Sequence, residues 1–390
     1  MRGCSSSVPS FPGHNQFNQE TRNYIAMETL PRSTKYLVIT GVGLLLYPMT
    51  KPIFMPNYRY PIKDTNRTVV VTGASGNIGA ELCRFFAMKQ FRVIMACRDL
   101  DKCKSVRRQI VIETASRNLA CRKLDLEDID SINTFADEVI KTEPHIDVLI
   151  NLAAVKDVKT KELTKYGVEK NYFVNFVAPF LLTMRLMPKL EESAKITKDS
   201  RVVNVTGRLK KSWDVDLKDI NFEKRKYTSK SAYRQSKTAL AYFTVLLNEF
   251  NKEKRNSVYV FGADPVYKRI ADSRFRPTTE INNLTNYAVF YWRLRSEFSI
   301  GNIVRGAVSD QEFNGKLFGI FGHGWDWRKK PPLNNTMKGL YVWNSAAEIL
   351  LNSDKIKSEQ VKSSGNQEKL QGNNSAGSAD VSAAPGKVSA

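Results

Sequence analysis

The sequence predicts an α/β fold, in which a parallel sheet is covered by helices on both faces. Short runs of β-branched and apolar residues recur along the chain, and stretches with helical periodicity separate them. Strands that alternate with helices are typical of a parallel sheet, because each parallel connection has to cross one face of it. The clearest predicted helices cover residues 79–90 and 101–116. The predicted strands cover residues 67–72, 91–96, 119–126, 146–153, 201–205, 257–263 and 316–321.

The composition is that of a globular protein with a strong basic excess. Of the 390 residues, 42% are hydrophobic and 25% are charged, which excludes wholesale disorder and fibrous repeats. The net charge of +21 indicates an anionic partner: nucleic acid, a membrane surface or a cofactor. No nucleic-acid-binding motif is recognisable, so we expect no nucleic-acid partner. Residues 195–256 hold 16 basic and seven acidic residues, which predicts a basic surface around the site described below.

The two ends of the chain differ in composition from its middle. Residues 1–34 are polar and predicted to be flexible, residues 51–66 are a linker, and residues 351–390 form a disordered tail. Residues 35–50 are an apolar segment that is short for a membrane-spanning helix and contains Pro48. Three alternatives remain open for this segment: a short spanning or hairpin anchor, an interfacial helix, and a segment packed on the protein.

Cysteine and histidine are too sparse and too scattered for the sites that they usually build. The five cysteines are odd in number and none has CxxC spacing, so we expect no disulfide framework and a reducing compartment. None of the three histidines has a second ligand at metal spacing. The sequence therefore predicts no metal site and no Ser-His-Asp triad.

A glycine-rich turn follows the first predicted strand and precedes a predicted helix. It has the sequence Thr-Gly-Ala-Ser-Gly-Asn-Ile-Gly over residues 72–79. Glycine lets the chain turn tightly and approach a pyrophosphate closely, and the helix N-terminus adds a positive dipole end. The strand–turn–helix context predicts dinucleotide binding, with an ordinary βα turn as the alternative. The predicted cofactor-binding residues of the turn are Gly73, Ser75, Gly76, Asn77, Ile78 and Gly79.

The end of the second predicted strand bears on which dinucleotide is bound. In such folds this strand end meets the adenosine ribose, where an acid favours NAD and an arginine favours the 2′-phosphate of NADP. Arg98 lies 25 residues after Gly73 and predicts NADP(H), while the adjacent Asp99 keeps NAD(H) open. The alternative is that Arg98 and Asp99 form a surface ion pair. Asp125, after the third strand, is predicted either to accept a hydrogen bond from adenine or to cap the next helix.

A tyrosine and a lysine are spaced for acid–base chemistry at the start of a helical run. Tyr233 and Lys237 are four residues apart and therefore share one face of the helix. An ammonium group beside a phenol favours the phenolate and lowers the pKa of the tyrosine, which can then exchange a proton with an alcohol or a ketone. Tyr233 and Lys237 are therefore the predicted catalytic pair.

Together these motifs resemble those of the short-chain dehydrogenase/reductase superfamily, in particular its retinol-dehydrogenase-like branch. The resemblance covers residues 67–350 and implies one Rossmann-type, doubly wound domain with about seven strands. It also implies hydride transfer between NADP(H) or NAD(H) and a hydroxyl or carbonyl group. Catalytic roles for Tyr233, Lys237 and Asn175 follow from it, as do cofactor contacts by Tyr233, Lys237, Asn151 and Pro265. Further matching segments are LDLED at 124–128, DVLIN at 147–151, VNFVAPFLLT at 174–183, RVVNV at 201–205 and AYRQSK at 232–237.

One family position differs in a way that matters for catalysis. The serine that orients the substrate carbonyl in the family falls on Gly207 in this sequence. Thr206 is the nearest candidate to replace it, although successive strand side chains point to opposite faces unless the strand end bends. Ser212 is a more distant candidate. Loss of one such hydrogen-bond donor typically lowers the rate by about 10²–10³.

Two functions are therefore predicted. The first is a membrane-associated, NADP(H)-dependent oxidoreductase acting on a lipophilic alcohol or carbonyl, such as a retinoid, a steroid or another lipid. The second is a catalytically silent family member that senses the cofactor or acts as a scaffold. We expect the endoplasmic reticulum membrane, with mitochondrial or lipid-droplet membranes as alternatives. The resemblance also implies homodimerisation through the helix that carries Tyr233.

Overall fold

The computed structural model describes residues 67–207, 209–210, 212–265, 297–308, 314–318, 324–325 and 333–353. With the exception of Glu297 and Phe298, these residues belong to one structural unit. The predicted flexible N-terminus, apolar segment and linker lie outside the described residues. We place the start of the C-terminal tail at residue 351, whereas the last described helix continues to residue 353.

An eight-stranded sheet forms the centre of the described fold. Its strands are β1 (Thr68–Thr72), β2 (Arg92–Cys97), β3 (Leu119–Lys123), β4 (Val148–Asn151), β5 (Ser200–Val205), β6 (Val258–Ala263), β7 (Leu317–Phe318) and β8 (Gly324–Trp325). Their order is β3-β2-β1-β4-β5-β6-β7-β8, and all neighbours are parallel except β7 and β8. The doubly wound parallel sheet is confirmed, and the antiparallel strand β8 was not predicted.

The predicted strands agree with the observed ones in position. The first six differ by one to three residues at their ends, which is the usual uncertainty of strand boundaries. The seventh is shorter than predicted, since it covers Leu317–Phe318 and residues 319–323 lie outside the described residues. Every residue of β1, β4 and β5 is buried, as expected for central strands covered on both faces.

The connecting helices begin at polar caps that the sequence supplies. The helices are α1 (Asn77–Met88), α2 (Leu100–Thr114), α3 (Ile129–Thr142), α4 (Lys170–Thr197), α5 (Ser229–Glu253), α6 (Glu297–Val308) and α7 (residues 336–353). Side chains of Asp99, Asp128, Glu169 and Thr228 accept hydrogen bonds from backbone N–H groups of the first turns of α2, α3, α4 and α5.

Helix α4 is the central helix of one face. It is long and apolar enough to cross a membrane by length and composition, but most of it is buried inside the described fold, as in the core helix of a soluble domain. Its segment Phe173–Val177 is π-helical, and such widened turns are frequent at functional sites.

Helix α7 packs across α4 and α5 through one tryptophan. The Trp343 ring lies 4.9 Å from the ring centres of Phe180 and Phe250 and 5.5 Å from that of Phe243. Close approach is possible because Gly339 faces α5: a Cβ there would lie 3.2 Å from Leu246. The part of α5 that carries Phe243 and Phe250 is therefore covered by the chain itself.

The cysteines are closer together than their spacing suggested. Cys103 on α2 and Cys121 on β3 form a disulfide, and Cys83 and Cys97 are free and buried. This is a single bond and not a framework, and the sequence analysis did not predict it. Sequence spacing could not show the bond, because the packing of α2 against β3 brings the two residues together.

Candidate active site

The candidate site lies at the carboxyl ends of the central strands. Strand order reverses between β1 and β4, since β2 and β3 lie on one side and β5 to β8 lie on the other. Such a switch point opens a crevice above the sheet, where open α/β folds bind their ligands. The glycine turn leaves the end of β1, and the Tyr233–Lys237 pair meets the end of β5.

Two glycines of the turn are required by close backbone contacts. Gly73 has φ +68°, and a Cβ there would lie 3.1 Å from Cα of Ala153. A Cβ on Gly79 would collide with the carbonyl oxygen of Gly73 and lie 2.8 Å from Cα of Ala74. The first glycine thus lets the loop pass close to β4, and the last lets α1 pack on the loop itself.

The remaining turn residues leave the start of α1 open to an anion. Helix α1 begins at Asn77, and Gly76 caps it with no side-chain hydrogen bond. The first turn contains no acidic residue, so its positive dipole end is not neutralised locally. Gly76 and Asn77 are exposed, and Ser75 and Ile78 are half-buried. Asn77 is helical and its φ is not positive, so the backbone needs no glycine there.

Thr72 holds the turn against β4, a role that the sequence analysis missed. Its hydroxyl donates to the Ile150 carbonyl at 3.3 Å and accepts from the backbone N–H groups of Leu152 and Ala153, each at 3.0 Å. These bonds fix the ends of β1 and β4 at the spacing that the crevice needs. A hydroxyl residue directly before the first glycine was the available signal.

Arg98 and Asp99 have different partners at the end of β2, where the adenosine ribose is predicted to bind. The Asp99 carboxylate accepts hydrogen bonds from the backbone N–H groups of Asp101 and Lys102, which lower its pKa. The Arg98 side chain is 67% exposed and pairs with Glu127 at 3.2 Å, not with Asp99. Lys123 donates to the Arg98 carbonyl at 2.6 Å and adds a second cation at this strand end. The alternative of an Arg98–Asp99 surface pair is therefore wrong.

The structure contradicts one of the two roles predicted for Asp125. The cap of α3 is Asp128, so the capping alternative for Asp125 is wrong. One Asp125 carboxylate oxygen accepts from the backbone N–H of Glu127 at 3.0 Å. The residue is half-buried at the end of β3, and the adenine contact stays a prediction.

Tyr233 and Lys237 project from the first turns of α5, whose start is fixed by a capping box between Thr228 and Ser231. The Lys237 ammonium is buried and donates to the Val205 carbonyl at 2.7 Å. Burial lowers the pKa of Lys237 to about 7. A buried, easily deprotonated lysine at a strand end is typical of a functional group.

The pKa of Tyr233 moves in the opposite direction from the expected one. Burial raises it to about 12, and the carboxylates of Asp264 and Asp157 add to the rise. The Lys237 ammonium donates its hydrogen bond to the Val205 carbonyl. The expected lowering of the Tyr233 pKa by Lys237 is therefore wrong in this structure, and Tyr233 is a proton donor at neutral pH.

Gly207 occupies the space of the missing serine. A Cβ built on it would lie 3.8 Å from the Tyr233 hydroxyl, and no other atom of the described residues, its chain neighbours aside, lies within 4 Å. A serine side chain would thus fit beside the tyrosine. The backbone has φ +76°, however, which L side chains adopt only with strain.

The structure shows no hydrogen bond between Tyr233 and either proposed substitute for this serine. Thr206 follows the last residue of β5 and is fully buried, and its hydroxyl donates to the Gly207 carbonyl at 3.3 Å. Ser212 is exposed in a turn after β5. The catalytic assignment of Thr206 therefore stays a prediction.

Asn175 lies in the π-helical turn of α4 and connects two parts of the site. Its side-chain oxygen accepts from the Val155 backbone N–H at 2.8 Å, and its amide donates to the Val155 carbonyl at 2.9 Å. The same amide donates to the Ser236 hydroxyl at 3.0 Å. Ser236, between Tyr233 and Lys237 in sequence, was not predicted as part of the site. These bonds tie the loop after β4 to α5.

Asn151 and Pro265 complete the predicted cofactor residues. Asn151 is buried and donates to Thr183 at 2.9 Å and to Asn204 at 2.8 Å, so its side chain braces β4, β5 and α4. Pro265 is half-buried at the end of the described segment after β6. Residues 266–296, which follow it, lie outside the described residues.

The basic surface divides into two groups instead of surrounding the site. One lies near the start of α5, and the other lies near the ends of α4 and α5. Since α5 has 25 residues, its ends are about 37 Å apart. The first group contains the exposed residues Lys210, Lys218, Lys224, Lys226, Lys230 and Arg234. The second contains Lys195, Lys198, Lys252, Lys254 and Arg255.

Comparison with known proteins agrees with this site. Residues 67–212 match the family model of short chain dehydrogenases. Retinol dehydrogenase 13 of Mus musculus is 38% identical over 217 residues, 55% of this chain and 62% of the relative. Retinol dehydrogenase 12 of Homo sapiens is 30% identical over 302 residues, 75% of this chain and 89% of the relative. The chain thus spans less than two thirds of the first relative and almost nine tenths of the second.

One solved structure supports the fold over most of the described residues. A crystal structure of an uncharacterised protein from Mycobacterium paratuberculosis has a TM-score of 0.57 and 27% identity. The match covers 73% of this chain and 92% of that chain.

Proposed function

Because the chain belongs to the short-chain dehydrogenase family, in its retinol-dehydrogenase-like branch, we propose that it is an NADP(H)-dependent oxidoreductase. Its substrate is a lipophilic alcohol or carbonyl of the retinoid, steroid or lipid class. The observation that carries the proposal is the convergence of the Tyr233–Lys237 pair and an open glycine turn on one edge of the sheet. The nicotinamide nucleotide, when bound, supplies or accepts the hydride.

Tyr233 moves the proton in this proposal. Burial keeps its phenol protonated at neutral pH, so it can donate a proton to the oxygen of a carbonyl that is being reduced. Alcohol oxidation needs the phenolate, and a charged Lys237 nearby would stabilise it. Asn175 and Ser236 act as positioning residues, since their hydrogen bonds hold α5 against the loop after β4.

NADP(H) is favoured over NAD(H) by the groups at the end of β2. The Asp99 carboxylate caps α2, so it is poorly placed to accept hydrogen bonds from ribose hydroxyls. Arg98 is exposed at the same strand end, and Lys123 lies against its backbone. Both cations suit a 2′-phosphate.

Membrane association is proposed from the apolar segment 35–50 and from the second basic group. The C-terminal ends of α4 and α5 precede β5 and β6, so their exposed lysines lie at the amino edge of the sheet. The chain enters β1 from the same edge after the apolar segment. Exposed bases there would face an anionic lipid surface, and we propose the endoplasmic reticulum membrane. A homodimer through α5 would need a face that α7 leaves free.

Catalytic silence is the second candidate, and Gly207 favours it. Gly207 offers no hydroxyl to orient the reacting oxygen at the position where the family has its serine. The loss of about 10²–10³ in rate would leave a weak enzyme or a nucleotide-binding protein without turnover.

The two candidates are separated by binding and turnover measured on the full-length protein. NADPH and NADH are titrated by tryptophan fluorescence, and nucleotide oxidation is then assayed with retinals and ketosteroids. The oxidoreductase is supported by turnover that Tyr233→Phe abolishes and that Tyr341→Phe, an exposed control on α7, preserves. Binding without turnover supports the silent protein, and absence of binding to either nucleotide rejects both.

A further inference from the structure

Four of the five cysteines lie on neighbouring elements beside the glycine turn. Cys83 is on α1, Cys97 ends β2, Cys103 is on α2 and Cys121 is on β3. Cys103 and Cys121 are bonded, and the Cys97 sulfur lies 2.9 Å from the Cys103 sulfur. The first three are at most 1% exposed, whereas Cys121 is half-buried on the edge strand of the sheet. Sulfur atoms therefore form a continuous path from an accessible edge into the core.

The inner end of this path lies one residue from the backbone hydrogen bonds that hold the glycine turn. The backbone N–H groups of Gly73 and Ala74 donate to the carbonyl of Ala96, the residue before Cys97, at 2.9 and 3.4 Å. A shift of Cys97 would therefore be passed along the backbone to the turn.

We propose that the Cys103–Cys121 disulfide is a reversible redox switch of the glycine turn, and that Cys97 transmits its state. Among the described residues there is one disulfide and two free cysteines, and not the set of paired cysteines that a structural framework has.

The oxidant is a low-molecular-weight disulfide. The Cys121 thiolate attacks one of its sulfurs, so that a mixed disulfide forms and the first small thiolate leaves. The Cys103 thiolate then attacks the Cys121 sulfur, which forms the protein disulfide and releases the second small thiolate. The protein loses two electrons and two protons, and the small disulfide becomes two thiols. Reduction by small thiols reverses both steps.

The turn responds because bonded and unbonded sulfurs need different space. Reduction replaces a covalent contact between the two sulfurs by a longer non-bonded one. The site is close-packed, so the extra volume has to come from movement of its neighbours, which include Cys97 and the turn that is hydrogen-bonded to the residue before it. Reduction should therefore loosen residues 72–79. The resulting loss of nucleotide affinity rests on the proposed function, but the loosening does not.

The test measures the bond and the turn on full-length protein equilibrated with defined mixtures of reduced and oxidised glutathione. Differential alkylation and peptide mapping follow the Cys103–Cys121 bond, and hydrogen–deuterium exchange follows residues 72–80. We expect the bond to form and break reversibly, and amide exchange of the turn to be faster in the reduced protein by about threefold or more. Cys121→Ser should exchange at the reduced rate in every mixture, and Cys4→Ser should respond like the unmodified protein.

Failure of the switch and failure of the proposed function give different results. Equal exchange of the turn in both redox states, or no mapped Cys103–Cys121 bond under oxidation, overturns the switch. Neither measurement needs bound nucleotide. Both can be made on the unmodified protein even where Cys121→Ser does not fold. A redox-dependent turn in a protein that binds neither NADPH nor NADH supports the switch and rejects the proposed function.

Discussion

At the residue scale, the site combines an intact acid–base pair with a missing hydrogen-bond donor. The Tyr233 hydroxyl faces the empty space above Gly207, and Lys237 is bonded to the end of β5. Each feature leads to one substitution with a defined consequence. The first concerns the reacting oxygen, and the second concerns the buried ammonium.

Gly207→Ser should raise the rate of carbonyl reduction. A hydroxyl on the Cβ that fits 3.8 Å from the Tyr233 oxygen would restore a donor to the substrate, with an expected gain in kcat of about 10²-fold. Gly207→Ala is the matched control, because it carries the same backbone strain of about 1–2 kcal/mol without the hydroxyl. Steady-state kinetics with retinal and NADPH measure both variants. An equal effect of serine and alanine would show that the missing hydroxyl is not what limits the site.

The stability of the protein should depend on pH through Lys237. Its pKa is about 7 in the folded protein, whereas the pKa of an unperturbed lysine is 10.5. Between these values the unfolded chain binds the proton and the folded chain does not, so stability rises with pH by up to about 1.4 kcal/mol per pH unit. Below pH 7 both states are protonated and the cost of burying the charge is fully present.

Urea unfolding at pH 7, 8 and 9 measures this dependence, and the informative quantity is the difference between variants. Lys237→Met should remove the rise in the free energy of unfolding, while Lys230→Met, at an exposed position of the same helix, should keep it. The same rise in Lys237→Met would mean that other groups cause it.

At the element scale, local sequence patterns predicted the structural elements that are determined by residues close together in the sequence. The β-branched runs placed the first six strands, and the glycine spacing placed the turn before α1. The contacts between distant elements depend on long-range packing and could not be predicted from local patterns. The hydrogen bond of Lys237 to Val205, the disulfide between α2 and β3, and the approach of Gly207 to Tyr233 depend on how distant elements meet. The antiparallel β8 has two described residues, which is too short for a period-2 pattern.

The glycine turn should lose its ability to bind nucleotide when α1 is pushed away from it. Gly79→Ala places a methyl group against the Gly73 carbonyl and 2.8 Å from Ala74 Cα, so the helix has to move and nucleotide binding should be lost. Gly167→Ala is the control: its Cβ would meet nothing within 4 Å, although its φ of +72° adds some strain. Fluorescence titration with NADPH compares the two. Undiminished binding by Gly79→Ala would contradict the proposed role of the turn.

At the scale of the whole molecule, the basic excess takes on a different meaning. The net charge of +21 first indicated an anionic partner, and the fold divides the richest segment between the two ends of α5. One group lies near the candidate site, where an anionic nucleotide would bind. The other lies at the amino edge of the sheet, where the chain arrives from the apolar segment. The proposed function therefore places the cofactor at one edge of the sheet and the membrane at the other.

Hydride transfer from labelled cofactor tests this account most directly. Full-length protein is incubated with retinal and with NADPH that carries deuterium at both C4 positions, and the retinol formed is analysed by mass spectrometry. The account predicts retinol heavier by one deuterium, and a fall of labelled product by about 10²-fold or more in Tyr233→Phe that still binds NADPH. Bound NADPH with no deuterium in any product, for retinal and for the other lipophilic carbonyls assayed, would contradict it.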